Sequence, residues 1–271
     1  MNLTINGIPL KKSFKFPGGE LNIQLPLNEL NAEWCDEFVI KTILNSSDKI
    51  IELLLVTNAL NHYHFEVPQK LIIHYLPYAR QDRICNYGEA FSLLAFARLI
   101  NSMNFDSVVV YDAHSTMSTK LVDRCINVPR EDLMYDNPVY KWLVDHDSAG
   151  TPIYLVSPDA GSVEKSKAIK AKFSQIKDII FAEKVRDTLT GKILKTVVNY
   201  VPENIDESVL LVCDDIGDGF GSFLPLAEQL RTHNPREISI YVTHGIFSKG
   251  EEILHPLFDN VWCTIDFRKF Q

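Results

Sequence analysis

The sequence has no excess of basic residues. Its 271 residues include 27 Lys and Arg against 35 Asp and Glu, which gives a formal net charge of -8. Proteins that hold nucleic acid through phosphate contacts need a basic surface, so this charge predicts that nucleic acid is not a partner. The longest apolar run, IIELLLV at 50–56, is too short to span a bilayer. We therefore expect neither nucleic-acid nor membrane partners.

Cysteine is also sparse and unclustered. The five cysteines form no CxxC pair and no Cys/His group at zinc spacing, so we interpret them as reduced thiols rather than disulfides or metal ligands. No signal peptide is visible at the start of the sequence. Together these features predict a cytoplasmic protein.

Short β-branched runs alternate with amphipathic stretches along the chain. Because the apolar runs are continuous rather than alternating, they are typical of buried parallel strands. The predicted strands cover 70–75, 107–112, 152–157, 178–182, 208–215 and 237–244, and the predicted helices cover 89–103, 164–176 and 222–233. Turn residues and proline near 134–152 suggest a boundary. The sequence predicts an α/β protein with two similar domains, 1–138 and 139–271, each a mainly parallel sheet flanked by helices.

Ligands of open parallel sheets gather at the carboxyl ends of the strands. One predicted strand ends in Asp214 and Asp215, followed by a glycine-rich turn at 217–221 and by Ser222. We expect the glycines to adopt positive φ and Ser222 to cap the next helix. Converging N–H groups would suit a phosphate, and the two acids could accept from ribose hydroxyls. The alternative is an ordinary glycine-rich turn.

Two further strand ends carry possible metal ligands. Asp112 and His114 lie in YDAHS, where they suit a Mg²⁺ or polyphosphate site. Asp159 lies in LVSPDAG, at a strand-to-helix turn. A structural hydrogen bond is the alternative for His114, and a helix cap is the alternative for Asp159.

Two polar loops carry cations. The loop YLPYARQDR at 75–83 combines an aromatic face with planar donors that could hold a nucleobase and its phosphates. The stretch AEKVRDTLTGK at 182–192 carries Lys184 and Arg186, which a mobile loop could place over a phosphoryl group. A solvated turn and a surface hairpin are the respective alternatives.

Taken together and in order, these motifs resemble the ribose-phosphate pyrophosphokinase (PRPP synthetase) family. The resemblance covers roughly residues 12–265 and rests on YLPYARQDR, YDAHS, LVSPDAG, EKVR, VCDDIGDGFGS and VTHGIFSKG. It implies two phosphoribosyltransferase-like domains, with ATP bound by the first and the ribose phosphate by the second. It also implies Mg²⁺-dependent transfer of the β,γ-diphosphate of ATP to the anomeric hydroxyl of ribose 5-phosphate, and a homodimer or higher homo-oligomer.

The resemblance assigns roles residue by residue. It implies ATP contacts by Phe16, Glu20, Arg80, Gln81 and Asp82, with Phe16 and Glu20 reaching from a neighbouring subunit. It implies metal and diphosphate contacts by His114 and Asp159, and catalytic roles for Lys184, Arg186 and His114. It implies acceptor contacts by Asp214, Asp215, Asp218, Gly219, Phe220, Gly221 and Ser222.

The chain departs from the family pattern at two loops. Gly18 replaces an Asp of the adenine loop, which removes one nucleotide contact. Where the family reads Asp-Thr-x-Gly-Thr, this chain has Gly219 in place of the first Thr and Phe220 beside it. If Phe220 faces the site, it could stack on the adenine of ADP-ribose. We favour ADP-ribose as the acceptor, giving ADP-ribose 1-diphosphate for NAD⁺ salvage, as in similar short phage and bacterial proteins.

Three alternatives remain open from the sequence. In the first, Phe220 turns into the core, Ser222 substitutes for the family's Thr, and ribose 5-phosphate is the acceptor. The second is a non-catalytic regulator resembling the synthetase-associated proteins, although Lys184, Arg186 and His114 are all present. The third is a phosphoribosyltransferase, which would have no use for the predicted ATP loop.

Overall fold

The computed structural model describes residues 3–30, 35–64, 66–186 and 193–270. The chain forms two compact units that divide between Pro129 and Arg130. The boundary predicted between 138 and 139 instead falls inside the second unit, at the start of the helix Pro138–Ser148. Asn137 caps this helix by accepting a 3.2 Å hydrogen bond from the N–H of Val139. The turn residues and proline at this position therefore begin a short helix and do not mark the boundary between the units.

The first unit is a six-stranded sheet with helices and a separate hairpin. Its elements are β1 (Thr4–Ile5), β2 (Ile8–Pro9), β3 (Lys12–Lys15), β4 (Leu21–Gln24), α1 (Leu27–Leu30), β5 (Phe38–Thr42), α2 (Ser47–His64), β6 (Gln69–Ile73), α3 (Ser92–Asn101), β7 (Ser107–Tyr111), α4 (Thr116–Leu121) and β8 (Cys125–Val128). The sheet order is β2-β1-β5-β6-β7-β8, and β3 and β4 pair only with each other. Strands β5 to β8 are parallel.

Apolar residues at helical spacing explain how α3 covers this sheet. Leu93, Phe96, Ala97 and Ile100 are buried on one face of the helix, as the i, i+3, i+4, i+7 pattern predicts. They join the buried positions of β6 and β7 in one core. The carboxyl ends of β6 and β7 are neighbours in a parallel pair, so the loops that follow these strands lie at the same edge of the sheet.

The second unit has the same architecture. Its elements are α5 (Arg130–Leu133), α6 (Pro138–Ser148), β9 (Ile153–Ser157), α7 (Val163–Lys172), β10 (Ile176–Arg186), β11 (Ile193–Val198), β12 (Val209–Gly217), α8 (Phe223–Arg231), β13 (Glu237–Gly245) and β14 (Asn260–Asp266). The sheet order is β11-β10-β9-β12-β13-β14. All neighbours are parallel except β10 and β11, which are antiparallel.

The central strands of the second sheet are covered on both faces. Every residue of β9 is buried, and β12 is buried except at Asp214. This explains their continuous apolar sequences. The two sheets confirm the predicted α/β class. Among the helices that the structure describes, none has the length and apolarity needed to cross a membrane.

Candidate active site

Two carboxylates lie side by side near the end of β12, each facing a cation. The side chain of Asp214 is 21% exposed and that of Asp215 is 8% exposed. Arg130 Nη2 lies 3.9 Å from Asp214 Oδ1, and Lys165 Nζ lies 3.6 Å from Asp215 Oδ2. The backbone N–H of Asp215 donates to Asp214 Oδ1 at 2.8 Å. The pair can therefore accept hydrogen bonds from a vicinal diol at the carboxyl edge of the sheet.

Burial makes Asp214 unusually easy to protonate. Desolvation and the neighbouring charge of Asp215 raise the pKa of Asp214 to about 7, and the charge of Arg130 opposes the rise. This carboxylate therefore changes its ionisation near neutral pH.

The loop that follows offers unused backbone donors. Within the described residues, no hydrogen bond is made by the N–H groups of Gly219, Phe220, Gly221 or Ser222. The loop leads directly into α8, so these donors lie at the N-terminus of a helix, where anions are stabilised. Ser222 holds the N-cap position, but its side chain makes no capping hydrogen bond, which corrects the predicted cap. Its hydroxyl can serve a ligand instead.

The positive φ of this loop belongs to Phe220, not to the predicted glycines. Phe220 has a φ of 52°, whereas Gly217, Gly219 and Gly221 are not among the positive-φ residues. The glycine at 217 instead leaves room, because a Cβ added there would lie 2.8 Å from Cε1 of Phe220. In this turn the aromatic ring of Phe220 therefore packs directly against Gly217.

The ring of Phe220 packs in the core. Phe220 is 2% exposed, and its ring stacks on Phe247 with centroids 5.3 Å apart. It also contacts Phe223 at 5.7 Å. The hypothesis that this ring stacks on the acceptor is therefore wrong, because burial against two aromatic neighbours directs the ring away from solvent. Phe220 can contribute only its backbone to an acceptor.

A lysine that the sequence reasoning missed lies beside the loop. A Cβ added at Gly219 would lie 3.5 Å from Cδ and Cε of Lys249 and 3.6 Å from Ser248 Oγ. Lys249 is exposed, and within the described residues it makes no ion pair. The aliphatic part of the Lys249 side chain thus lies beside the position where the family has a Thr side chain. The SKG turn after β13 was the signal that could have indicated it.

Asp159 caps a helical turn. Its Oδ1 accepts from the N–H of Ser162 at 3.1 Å, and Ser162 Oγ accepts in return from the N–H of Asp159 at 3.3 Å. This capping box corresponds to the alternative left open for Asp159. Among the residues that the structure describes, no group of three or more His, Cys, Asp and Glu could hold a metal ion.

His114 is exposed at the carboxyl end of β7. The turn before it is strained, because Asp112 is buried with a φ of 41°. Two hydrogen bonds of 2.8 Å hold that turn, one from the N–H of Asp112 to the carbonyl of Val128 and one from the N–H of Ala113 to Asn127 Oδ1. A rigid, strained turn that presents an exposed imidazole is typical of a functional site.

The loop predicted to bind ATP follows β6, at the same edge as His114. Arg80 and Gln81 are exposed and Asp82 is half-buried. Tyr78 has a φ of 61°, and its ring packs on Phe96 with centroids 5.6 Å apart. The N–H of Gln81 donates to the carbonyl of Tyr78 at 2.9 Å. The structure thus presents planar donors on a fixed turn.

The other two predicted ATP contacts lie on the β3–β4 hairpin, outside the six-stranded sheet. Phe16 and Glu20 are exposed at its turn, and Phe16 packs edge-on against Phe14 at 5.1 Å. A Cβ added at Gly18 would lie 3.1 Å from Oε1 of Glu20, so the Glu20 carboxylate lies beside the position where the family has Asp. Contact of this hairpin with ATP in another subunit remains a prediction.

The predicted catalytic cations lie on β10. The backbone of Lys184 pairs with Thr196 and that of Arg186 with Ile193, with a register shift beside Arg186. Their side chains, and residues 187–192 of the predicted loop, lie outside the described residues. The structure places the two positions at the end of the strand next to β9.

Comparison with known proteins identifies relatives over most of the chain. No family model matches. The chain is 28% identical over 242 residues to a ribose-phosphate pyrophosphokinase of Caulobacter vibrioides, covering 89% of this chain and 74% of that one. It is 27% identical over 241 residues to a ribose-phosphate pyrophosphokinase of Pyrococcus furiosus, covering 87% of this chain and 78% of that one.

A solved structure agrees with these relatives. The phosphoribosylpyrophosphate synthetase of Mycobacterium smegmatis superposes with a TM-score of 0.77 at 19% identity, covering 97% of this chain and 83% of that one. The likeness establishes the fold. Sequence relatives and fold together confirm the resemblance that the motifs indicate.

Proposed function

We propose that this chain, a relative of the ribose-phosphate pyrophosphokinases, is an ATP-dependent diphosphotransferase that uses ribose 5-phosphate as its acceptor. The anomeric oxygen of the sugar forms a bond to the β-phosphorus of ATP. The bond between that phosphorus and the oxygen bridging to the α-phosphorus breaks, and AMP leaves with the oxygen. The products are AMP and 5-phosphoribosyl 1-diphosphate.

The observation that carries this proposal is the order of groups along β12. Asp214 and Asp215 supply paired acceptors for two sugar hydroxyls. Residues 219–222 of the loop after them supply N–H donors that have no hydrogen-bond acceptor within the described residues. A diol followed by a phosphate is the pattern of a ribose 5-phosphate moiety, so one strand and its loop fit one sugar.

The surroundings of the loop favour a terminal phosphate. Lys249 lies next to Gly219 and carries no ion pair within the described residues, so it can provide positive charge where the family's Thr hydroxyl is missing. A phosphate monoester carries more charge on one phosphorus than a diphosphate bridge does, and gains more from one ammonium. The buried ring of Phe220 leaves no stacking surface for an adenine there. Ribose 5-phosphate thus replaces ADP-ribose as the preferred acceptor.

The donor is Mg-ATP. Mg²⁺ in phosphoryl-transfer sites is held largely by substrate phosphates and water, with one or two protein ligands. His114 and Asp159 are the side chains that we propose for the metal and diphosphate contacts. Held there, Mg²⁺ would supply positive charge to the transferred group.

The residues of the chain then act by positioning and by charge. Arg80, Gln81 and Asp82 hold the nucleotide on the turn after β6. Lys184 and Arg186 stabilise the charge that develops on the equatorial oxygens of the transferred group. The acidic pair aims the anomeric hydroxyl by holding its neighbours. This division of roles also separates the enzyme from a phosphoribosyltransferase, which needs no ATP loop.

An acceptor panel tests the proposal. AMP release from Mg-ATP is measured with ribose 5-phosphate, 2-deoxyribose 5-phosphate, unphosphorylated ribose and ADP-ribose. We expect ribose 5-phosphate to be used best, because the other acceptors lack either a hydroxyl for the acidic pair or a terminal phosphate for the loop. Best use of ADP-ribose would instead support the NAD⁺ salvage reaction. No AMP release with any acceptor would support a non-catalytic regulator.

A further inference from the structure

Arg130 is a buried charge for which the proposed reaction has no assigned use. Its side chain is 1% exposed and is among the largest fully buried side chains of the described residues. Arginine is almost never fully buried unless it is paired. Removing an ion from water costs several kcal/mol, so buried ion pairs are weak contributors to stability and need another explanation.

The charge of Arg130 acts on the acidic pair. Its guanidinium lies 3.9 Å from Asp214 and approaches from α5, whereas Lys165 approaches Asp215 from α7. Burial raises the pKa of the Tyr241 phenol on β13, and this effect is larger than the opposing effect of the Arg130 charge. Tyr241 is therefore neutral, and its hydroxyl lies 2.7 Å from Thr264 Oγ1. Asp214 is therefore a negative charge that Arg130 faces.

Each carboxylate of the pair consequently has its own cation. Lys165 and Asp215 form one pair, and Arg130 and Asp214 form the other. Without Arg130, Asp214 would stand beside Asp215 with no adjacent cation from the described part of the chain. One of two neighbouring carboxylates then takes up a proton more easily. A protonated carboxyl loses the charge-assisted hydrogen bond that a carboxylate makes to a hydroxyl.

We propose that Arg130 is a positioning residue whose positive charge favours the carboxylate form of Asp214, the form that accepts a hydrogen bond from a ribose hydroxyl. The inference rests on the proposed function, since it assigns Asp214 to the acceptor sugar. Arg130 itself touches neither substrate. It acts through the carboxylate.

The test measures KM for ribose 5-phosphate and kcat between about pH 6 and pH 9 for Arg130→Met, Arg130→Lys and the wild type. Loss of one adjacent cation raises the pKa of a carboxyl group by about one unit or more. We therefore expect Arg130→Met to raise KM about tenfold at pH 7, with a smaller change in kcat, and KM to recover as the pH rises. The lysine variant should lie between the two.

Three controls make the result decisive. Arg231→Met removes an arginine that pairs with Asp259 and should leave the pH profile unchanged. In an Asp214→Asn background, Arg130→Met should change KM no further, because its target is gone. Carbon-13 NMR of the Asp214 carboxyl should show a higher titration midpoint in Arg130→Met, which is independent of turnover.

The outcomes separate this inference from the proposed function. A wild type that turns over no ribose 5-phosphate contradicts the proposed function, and the NMR titration still decides the role of Arg130. A KM that rises equally at every pH, or an unchanged carboxyl titration, overturns the inference. If Arg130→Met does not fold, Arg130→Gln removes the charge instead, and a pH profile of that variant identical to that of the wild type overturns the inference.

Discussion

Phe220 and Phe247 stack at 5.3 Å with an interplanar angle of 28°, and both have a φ of 52°. Each ring lies against a glycine that ends its strand, Gly217 on β12 and Gly245 on β13, and these two glycines are register partners. The N–H groups of Ile246 and Phe247 donate to the carbonyl of Gly217 at 2.7 and 3.2 Å. The aromatic pair therefore fixes the two loops side by side and holds Lys249 next to the phosphate loop.

Replacing Phe220 by alanine should destabilise the protein rather than change its acceptor. Removal of a buried ring costs about 3–5 kcal/mol, and we expect that loss in the free energy of unfolding, measured by denaturant titration. Phe247→Ala should cost a similar amount. Any loss of turnover should be equal for ribose 5-phosphate and ADP-ribose. Unchanged stability together with a selective loss of ADP-ribose turnover would restore the stacking hypothesis.

Gly217→Ala and its control Gly221→Ala test the packing of the Phe220 ring against Gly217. A Cβ at 217 would meet the Phe220 ring, whereas a Cβ at 221 meets nothing within 4 Å. Overpacking costs about 1–3 kcal/mol, so Gly217→Ala should lower the melting temperature. Gly221→Ala should leave the melting temperature nearly unchanged. Equal melting temperatures for the two variants would contradict the seating of the ring on Gly217.

Lys184→Ala and Arg186→Ala test the transition-state cations. Each should lower kcat by on the order of 10²-fold or more, with little change in acceptor KM, because a lost charge partner acts mainly in the transition state. Single-turnover AMP formation is the measurement. A kcat equal to that of the wild type in both variants would show that neither side chain stabilises the transition state.

His114→Ala tests whether the exposed imidazole serves the nucleotide. The side chain of His114 is exposed, so its loss should leave the melting temperature unchanged while Mg-ATP turnover falls. The measurement is kcat/KM for Mg-ATP, with thermal unfolding in parallel. A collapsed unfolding transition would favour a purely structural role for His114.

Lys249→Ala tests the cation beside the phosphate loop. Charge-assisted hydrogen bonds contribute about 1.5–3 kcal/mol, so KM for ribose 5-phosphate should rise on the order of tenfold or more while KM for ATP stays the same. Lys167→Ala is the matched control, because Lys167 is an exposed lysine of α7 that pairs with Glu164. Equal KM values for the Lys249 and Lys167 variants would exclude Lys249 from acceptor binding.

The sequence predicted the sheets because their pattern is local. The continuous apolar run at 237–244 becomes the buried strand Glu237–Gly245, since a strand covered on both faces needs apolar residues throughout. Asp214 and Asp215 were predicted from the same pattern, because two acids at the end of a continuous apolar run mark the carboxyl end of a buried strand.

Other features depend on contacts between distant residues. The direction of the Phe220 ring depends on space left by Gly217 and on Phe247 from the next strand, which no local pattern reveals. Arg130 gave no signal in the sequence, and only the tertiary structure shows that it is buried beside Asp214. The turn residues and proline near 134–152 suggested a domain boundary, whereas the two units divide earlier, between Pro129 and Arg130. Burial and partner choice are tertiary properties, so the sequence left them open.

The central claim is transfer of an intact diphosphate to ribose 5-phosphate. We would incubate the protein with Mg-ATP and ribose 5-phosphate and identify both products by mass and by phosphorus NMR. The account predicts AMP and a sugar that carries a new diphosphate on C1, in equal amounts. ADP as the nucleotide product, or diphosphate transfer to ADP-ribose but not to ribose 5-phosphate, would contradict it.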